Sequence, residues 1–266
     1  MKRENFIIVL VLVVLAACNN KGEKQPNVPI VIADTEQIMK DIILQFPDSL
    51  LLKEKLIQYY RENSSYDKAI AATNETLQKD SLNPRLWDIK ATLYFENGDT
   101  LNAIKSFEKA IQILPDPGYI MSLGSLYAQT KNARALDMAE ILLQDKNANA
   151  EKEAFFLKGL YFNYTGDKAR AISFFDKCLL LDYTFMFGYR EKAIALYDLG
   201  KYEEAIKVLD KAVTLQNNFD EGYYWRGRCL EKLNKPNEAI EEYRTALMYS
   251  PDFVEAKEAL SKLEPK

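Results

Sequence analysis

The pairs Ala69-Ile70, Ala103-Ile104, Ala171-Ile172, Ala205-Ile206 and Ala239-Ile240 recur at separations of 34, 68, 34 and 34 residues. A period this constant means that one short unit is repeated along the chain, with one unmatched copy in the middle. No such unit can bury its hydrophobic face alone, so neighbours must stack. Inside a unit the apolar spacing is helical: Ala103, Phe107 and Ala110 stand at i, i+4 and i+7 on one face, and the alanines let a neighbouring helix approach. Gly98, Gly166, Gly200 and Asn234 keep the same step. Each falls ahead of that face, where a helix ends in a left-handed residue that Gly or Asn adopts at least cost. The period therefore predicts two antiparallel helices per unit and an all-α chain.

The residues at these steps resemble the tetratricopeptide repeat family. The second unit carries Trp87, Tyr94, Ala103, Phe107, Ala110 and Pro115 in the family's order, and the last carries Tyr223, Gly227, Ala239, Tyr243, Ala246 and Pro251. The resemblance implies a right-handed superhelical solenoid of about six units, at about 50–83, 84–116, 117–151, 152–185, 186–219 and 220–253. A helix from about Thr35 to Phe46 precedes the array, and the solenoid region spans 35–266. Residues 252–263 read as a capping helix, with Phe253, Ala256, Leu260 and Leu263 on one side, since a repeat array otherwise ends on a bare stacking face. The third unit is irregular: Leu123-Gly124 and Tyr127 come one residue early, and Ala135-Leu136, Ala139 and Leu142-Leu143 two residues early, which predicts a shorter internal turn. The first unit is weak, with Thr73 and Thr76 at apolar positions.

In this family the concave face, lined by the first helix of each unit, holds the partner. Carried over unit by unit, that face comprises Phe95 beside Arg85, Asp88 and Thr92, then Phe156, Leu160 and Tyr164, then Phe187, Arg190, Ile194 and Tyr197, then Tyr224 and Arg228 beside Glu231. Its C-terminal half is rich in aromatics and Arg, the types that dominate interface hot spots. The competing reading of each aromatic is inter-repeat core. The Lys and Asn pattern with which some members clamp a C-terminal carboxylate is not evident.

Residues able to carry chemistry are scarce. The chain has no His, which removes the commonest metal ligand and every imidazole-based triad. Gly222 to Cys229 has phosphate-loop glycine spacing but Arg and Cys where Lys and Ser or Thr are required; it reads as helix packing around Gly227. Cys178 stands in the small-residue position of Ala110, Ala212 and Ala246, so Cys178 and Cys229 read as buried thiols, with a disulfide as the alternative. Neither a metal nor a cofactor is expected, nor is enzymatic activity. With 35 Lys and Arg against 39 Asp and Glu, the net charge of −4 has the wrong sign for nucleic acid.

The N-terminus carries an export signal: Lys2 and Arg3, the uncharged run Phe6 to Ala17, then Leu15-Ala16-Ala17-Cys18. The apolar run is too short to span a hydrocarbon core of roughly 30 Å. Leu-Ala-Ala-Cys resembles the bacterial lipobox, which implies a signal peptide at 1–17, cleavage before Cys18 and lipid on its sulfur and new N-terminus. The alternatives are an ordinary secretory peptide or a short uncleaved anchor. Residues 18–34 then form a tether containing Gly22, Pro26 and Pro29. By resemblance to enterobacterial sorting, Asn19 in place of Asp points to the outer membrane, facing the periplasm. The expected function is a lipid-anchored adaptor of the bacterial cell envelope with a protein or peptide partner in its groove; the alternative is a glycan- or peptidoglycan-binding module.

Overall fold

Four helix starts are capped by side chains that accept from the free N–H groups at helix ends. The carboxamide of Asn83 accepts from the N–H of Arg85 at 3.1 Å, Asp99 from Asn102 at 3.1 Å, Asp116 from Gly118 at 2.8 Å and Asp167 from Arg170 at 3.0 Å. Pro84, Pro117 and Pro236 each stand in the first turn of a helix, where a missing N–H costs nothing. The computed structural model describes residues 35–144 and 149–264, and among the described residues every helix or strand is a helix. Cys18 and the N-terminal region of the chain lie outside the described residues.

A leading helix α1 (Thr35–Gln45) is followed by six pairs: α2 (Leu50–Glu62) with α3 (Tyr66–Lys79), α4 (Pro84–Glu96) with α5 (Thr100–Ile113), α6 (Pro117–Gln129) with α7 (Arg134–Gln144), α8 (Glu151–Thr165) with α9 (Lys168–Leu181), α10 (Met186–Asp198) with α11 (Tyr202–Leu215), and α12 (Asp220–Lys232) with α13 (Pro236–Tyr249). The last helix, α14 (Val254–Leu263), closes the array. Each helix packs on its neighbours in sequence, and α6 also lies against α8. This is the all-helical solenoid the period predicts. Among the described residues no helix is long and apolar enough to cross a membrane.

Each pair turns on one left-handed residue. Gly98, Gly166, Gly200 and Asn234 have positive φ, and so do Ser64 and Lys131, which composition does not mark. At Ser65, Asp99, Asn132, Lys201 and Lys235 the residue after the turn donates back five positions, as in Asp99 N–H to Tyr94 O and Asn132 N–H to Tyr127 O, both 2.8 Å, so in these five pairs an outgoing carbonyl is satisfied whichever side chain sits at the turn. In the third unit Lys131 comes one residue early. The N–H of Ala135 then bonds to the carbonyl of Asn132, three residues back, where Ala103 and Ala171 bond four back to Asp99 and Asp167. A tightened first turn of α7 thus absorbs the missing residue.

The core runs along the seam between first and second helices. Ala69, Ala103, Ala135, Ala171, Ala205 and Ala239 are all fully buried. Thr73 is buried too, and its hydroxyl donates to the carbonyl of Ala69 at 2.8 Å. The first unit is therefore packed as fully as its sisters despite its unusual residues. Cys178 and Cys229 are buried free thiols, pushed by burial up to about 12. Gly222 and Gly227 lie within α12, and Gly227 faces the ring of Tyr243, so the phosphate-loop spacing is helix packing.

Candidate functional site

A cavity of 590 Å³ opens in the first-helix face between α6, α8 and α10. Its position follows from the irregular unit. With α6 one residue early, Met121 and Ser125 stand 35 residues before Phe156 and Leu160, in the positions that Arg190 and Ile194 hold one 34-residue step further on. Gly118 and Ser122 are small as well, so α6 leaves space where the other first helices carry long side chains. One wall is polar and uncharged, with Ser122, Ser125 and Gln129; the other is apolar, with Phe156, Leu160, Tyr164, Phe185 and Phe187. Phe156 meets Phe185 edge-on at 5.1 Å, and Phe185 meets Phe187 at 5.7 Å, a geometry that holds the rings as one surface.

At the cavity one guanidinium is shared by two carboxylates. Arg190 donates through Nη1 to both carboxylate oxygens of Glu221, at 2.7 and 2.8 Å, and through Nε to Glu191 Oε1 at 3.0 Å. Its guanidinium also stacks over Phe187, 5.1 Å from the ring centre. Burial raises the Glu191 carboxyl above its ordinary range, while Arg190 pulls the other way. Burial opposes the Arg190 charge, but the two carboxylates outweigh it and its pKa rises. Burial, followed by the charge of Glu191, lifts the phenol of Tyr164. Among the described residues no group of three or more His, Cys, Asp or Glu is arranged to hold a metal ion.

A TPR repeat model of that family matches residues 194–234, and tetratricopeptide repeat models match 220–253 and both 84–117 and 152–185. The segments so matched are tetratricopeptide repeats. The fold of the chain is similar to that of a tetratricopeptide repeat protein from Parabacteroides merdae, at 19% identity and a TM-score of 0.69 over 86% of this chain and 90% of that one. PilW, a widely conserved type IV pilus biogenesis factor, is similar at 20% identity and 0.59, over 79% and 97% of the two chains. The hetero-tetramer Cut9–Hcn1 of the APC/C supplies a third likeness at 19% and 0.55, over 86% of this chain and 45% of that one. Among curated proteins none matches. Tetratricopeptide repeat proteins generally mediate protein–protein interactions.

Of the fourteen residues carried over from the family's concave face, ten divide into three groups. Phe156, Leu160, Tyr164, Phe187 and Arg190 converge on the 590 Å³ cavity. Phe156 and Leu160 are buried floor, whereas Tyr164 and Phe187 are 38% and 52% exposed. Tyr224 and Arg228 line a separate 320 Å³ depression against α14. There Tyr224 is core: it is buried, its ring lies 5.0 Å from Phe253 and 5.8 Å from Tyr243, and its hydroxyl accepts from Arg228 Nη1 at 2.8 Å. For Tyr224 the inter-repeat reading holds. Phe95, Ile194 and Tyr197 belong to neither group; Phe95 is exposed at the last turn of α4, and Tyr197 packs edge-on against Tyr202 and Trp225.

Arg85, Asp88 and Thr92 line a third depression, of 380 Å³, where Arg85 is held by Glu54 at 2.9 Å. Burial pushes the Asp88 carboxyl up. Sequence reasoning missed Met121, Ser122 and Ser125 because the concave positions were not carried onto the displaced third unit. The one-residue shift of Leu123-Gly124 was the signal that locates them. Glu191, a buried carboxylate that lines the cavity and pairs with Arg190, was missed because the family's face does not include its position.

Proposed function

We propose that the protein is a lipid-anchored adaptor of the bacterial cell envelope that holds an extended segment of a partner protein between α6, α8 and α10. The observation that carries this reading is the cavity's pair of unlike walls. Extended chains send alternate side chains to opposite sides and leave backbone polar groups between them. Phe187 and Tyr164 offer apolar surface to one set of side chains, while Ser125, Ser122 and Gln129 offer partners to the backbone. Ser122 donates to its own helix at Gly118 O, 3.1 Å away, and keeps its acceptor lone pairs for a ligand. Because Arg190 is saturated by Glu191 and Glu221, the site lacks a ready grip for a terminal carboxylate and favours an internal segment.

The anchoring half of the proposal rests on Leu15-Ala16-Ala17-Cys18 and the tether after it, with Asn19 favouring the outer membrane, facing the periplasm. The glycan alternative has less support, since Phe156 and Phe185 are packed into the ring cluster and do not stand free to stack on sugars. Two experiments test the proposal. Fatty-acid labelling should mark the wild type and not Cys18→Ser; equal labelling of both removes the anchor. Capture from detergent-solubilised membranes should yield a protein partner whose binding competes with its own extended peptide, and retention on purified cell wall instead would favour the glycan reading.

A further inference from the structure

Helix α1 stands in the register of a second helix. Stepping back 34 residues puts Thr35 with Ala69, Met39 with Thr73 and Ile42 with Thr76. In all six units the position equivalent to Ile42 is closed by packing: Thr76, Ala110, Leu142, Cys178, Ala212 and Ala246 are at most 5% exposed. On α1 that face is open. Ile38 and Ile42 are 45% and 36% exposed, Phe46 just beyond the helix is 59% exposed, and no residue of α1 is buried. The helix is held from its other side, by Met39 and Ile43 against α2 and by Glu36, which accepts from Tyr60 at 3.0 Å and Lys68 at 2.8 Å.

We propose that α1 of a second copy fills this seat, so that two chains pair through antiparallel α1 helices about a two-fold axis. The open face has the spacing of a coiled-coil seam: Thr35, Ile38, Ile42 and Gln45 follow one another at steps of three, four and three. It is also self-complementary. A two-fold axis through residue 40 sets Ile38 against Ile42 of the other copy and Thr35 against Gln45, apolar on apolar at the centre and polar on polar at the rims. Antiparallel packing is the relation that first and second helices have within a unit, so each α1 gives the other the helix it lacks. Isoleucine at both central positions suits helix axes about 10 Å apart better than the closer approach that alanine permits elsewhere in the array.

The seat is small. Eleven residues of helix extend roughly 16 Å, and such a contact falls well short of the roughly 1,600 Å² of a standard stable interface. Pairing is therefore weak and concentration-dependent in solution. If the chain is lipid-anchored, confinement to a membrane raises its effective concentration and favours the pair; the pairing itself does not depend on that anchor.

The test uses the full-length chain with Cys18→Ser in mild detergent, where the remaining thiols, Cys178 and Cys229, are buried. Sedimentation across a hundredfold concentration range should show a reversible monomer–dimer equilibrium. Ile38→Asp with Ile42→Asp should shift the midpoint at least tenfold higher, whereas Leu180→Asp, at a still more open apolar site on α9, should leave it in place. Oxidation of a mixture of Thr35→Cys and Gln45→Cys chains should give cross-linked heterodimers, and Thr35→Cys alone should not. The helical signal of every variant checks folding, since each change lies on an exposed face. A wild type that stays monomeric throughout overturns the proposal and points to another occupant, such as the chain's own preceding segment. A dimer indifferent to the Asp changes, or Thr35→Cys cross-linking to itself as readily as to Gln45→Cys, overturns it too.

Discussion

A Cβ on Gly159 would lie 2.4 Å from Cε1 of Phe175 and 2.6 Å from Cδ1. The same closeness joins Gly227 to Tyr243, at 2.5 Å. In the five regular units the sizes at these two positions vary inversely: Ile57 with Thr73, Ala91 with Phe107, Gly159 with Phe175, Ala193 with Leu209, Gly227 with Tyr243; the displaced third unit pairs Gly124 with Ala139, and there Leu157 and Met138 close on the glycine instead. In those five units one volume is filled from two sides.

Gly159→Ala should therefore destabilise by about 1–3 kcal/mol through overpacking. Phe175→Leu alone should destabilise as well, by leaving a gap. Together they recreate the Ala193 and Leu209 arrangement of the next unit. Urea melts should show the double variant more stable than the sum of the singles predicts, by about 1 kcal/mol or more. Simple additivity would mean that the two positions do not share one volume.

At the turns, the left-handed Lys131 and Ser64 hold φ of 57° and 52° where sister units use Gly. Lys131→Gly should stabilise, and Gly200→Ala, at φ 74°, should destabilise, each by about 1 kcal/mol. Thermal or urea midpoints moving in opposite directions confirm it. A loss on Lys131→Gly would show that the lysine side chain, not its backbone, matters there.

These turns also mark where the sequence stopped being legible. The period located helix pairs through Ala and Gly because those residues have a steric reason to recur. Ser64 and Lys131 have none, and only the return bond of the following N–H forces their conformation. The candidate site shows the same limit. Face geometry brought Phe156, Leu160, Tyr164, Phe187 and Arg190 to one cavity, but the family pattern does not separate a groove aromatic from one that plugs the last seam, as Tyr224 does. Burial depends on α14 and Phe253, which lie outside the repeat.

The hold on α1 should be acid-sensitive. Hydrogen bonds from Lys40, Lys68 and Tyr60 lower the Glu36 carboxyl from its ordinary 4.5 to about 2. A depressed carboxyl contributes stability above its unfolded pKa, and that contribution is lost as pH falls through the folded value. Amide exchange in α1, corrected for the intrinsic rate, should accelerate as pH falls from 4.5 towards 2, ahead of the remaining helices. Glu36→Gln should give the loosened behaviour already at neutral pH and remove the transition. An α1 that exchanges alike at both pH values in wild type would rule out this role for Glu36.

The groove is best tested at Phe187 and Tyr164. Arg190→Ala would strand the buried Glu191 without its cation, and Tyr224→Ala would open the seam beneath Phe253; both act first on folding. Phe187 and Tyr164 are the exposed rings of the cavity wall, and alanine suits a helix at either position. An aromatic at the centre of an interface commonly contributes about 1–2 kcal/mol or more on truncation, so the pair should weaken partner binding by roughly a hundredfold. The melting temperature and helical signal should stay near wild type. Lys177→Ala with Lys211→Ala is the control: these lysines lie on the second helices α9 and α11, over Phe174 and Tyr189. If the lysine control loses the partner while the Phe187 and Tyr164 variant holds it, the partner binds the second-helix side, and the cavity between α6, α8 and α10 is not its seat.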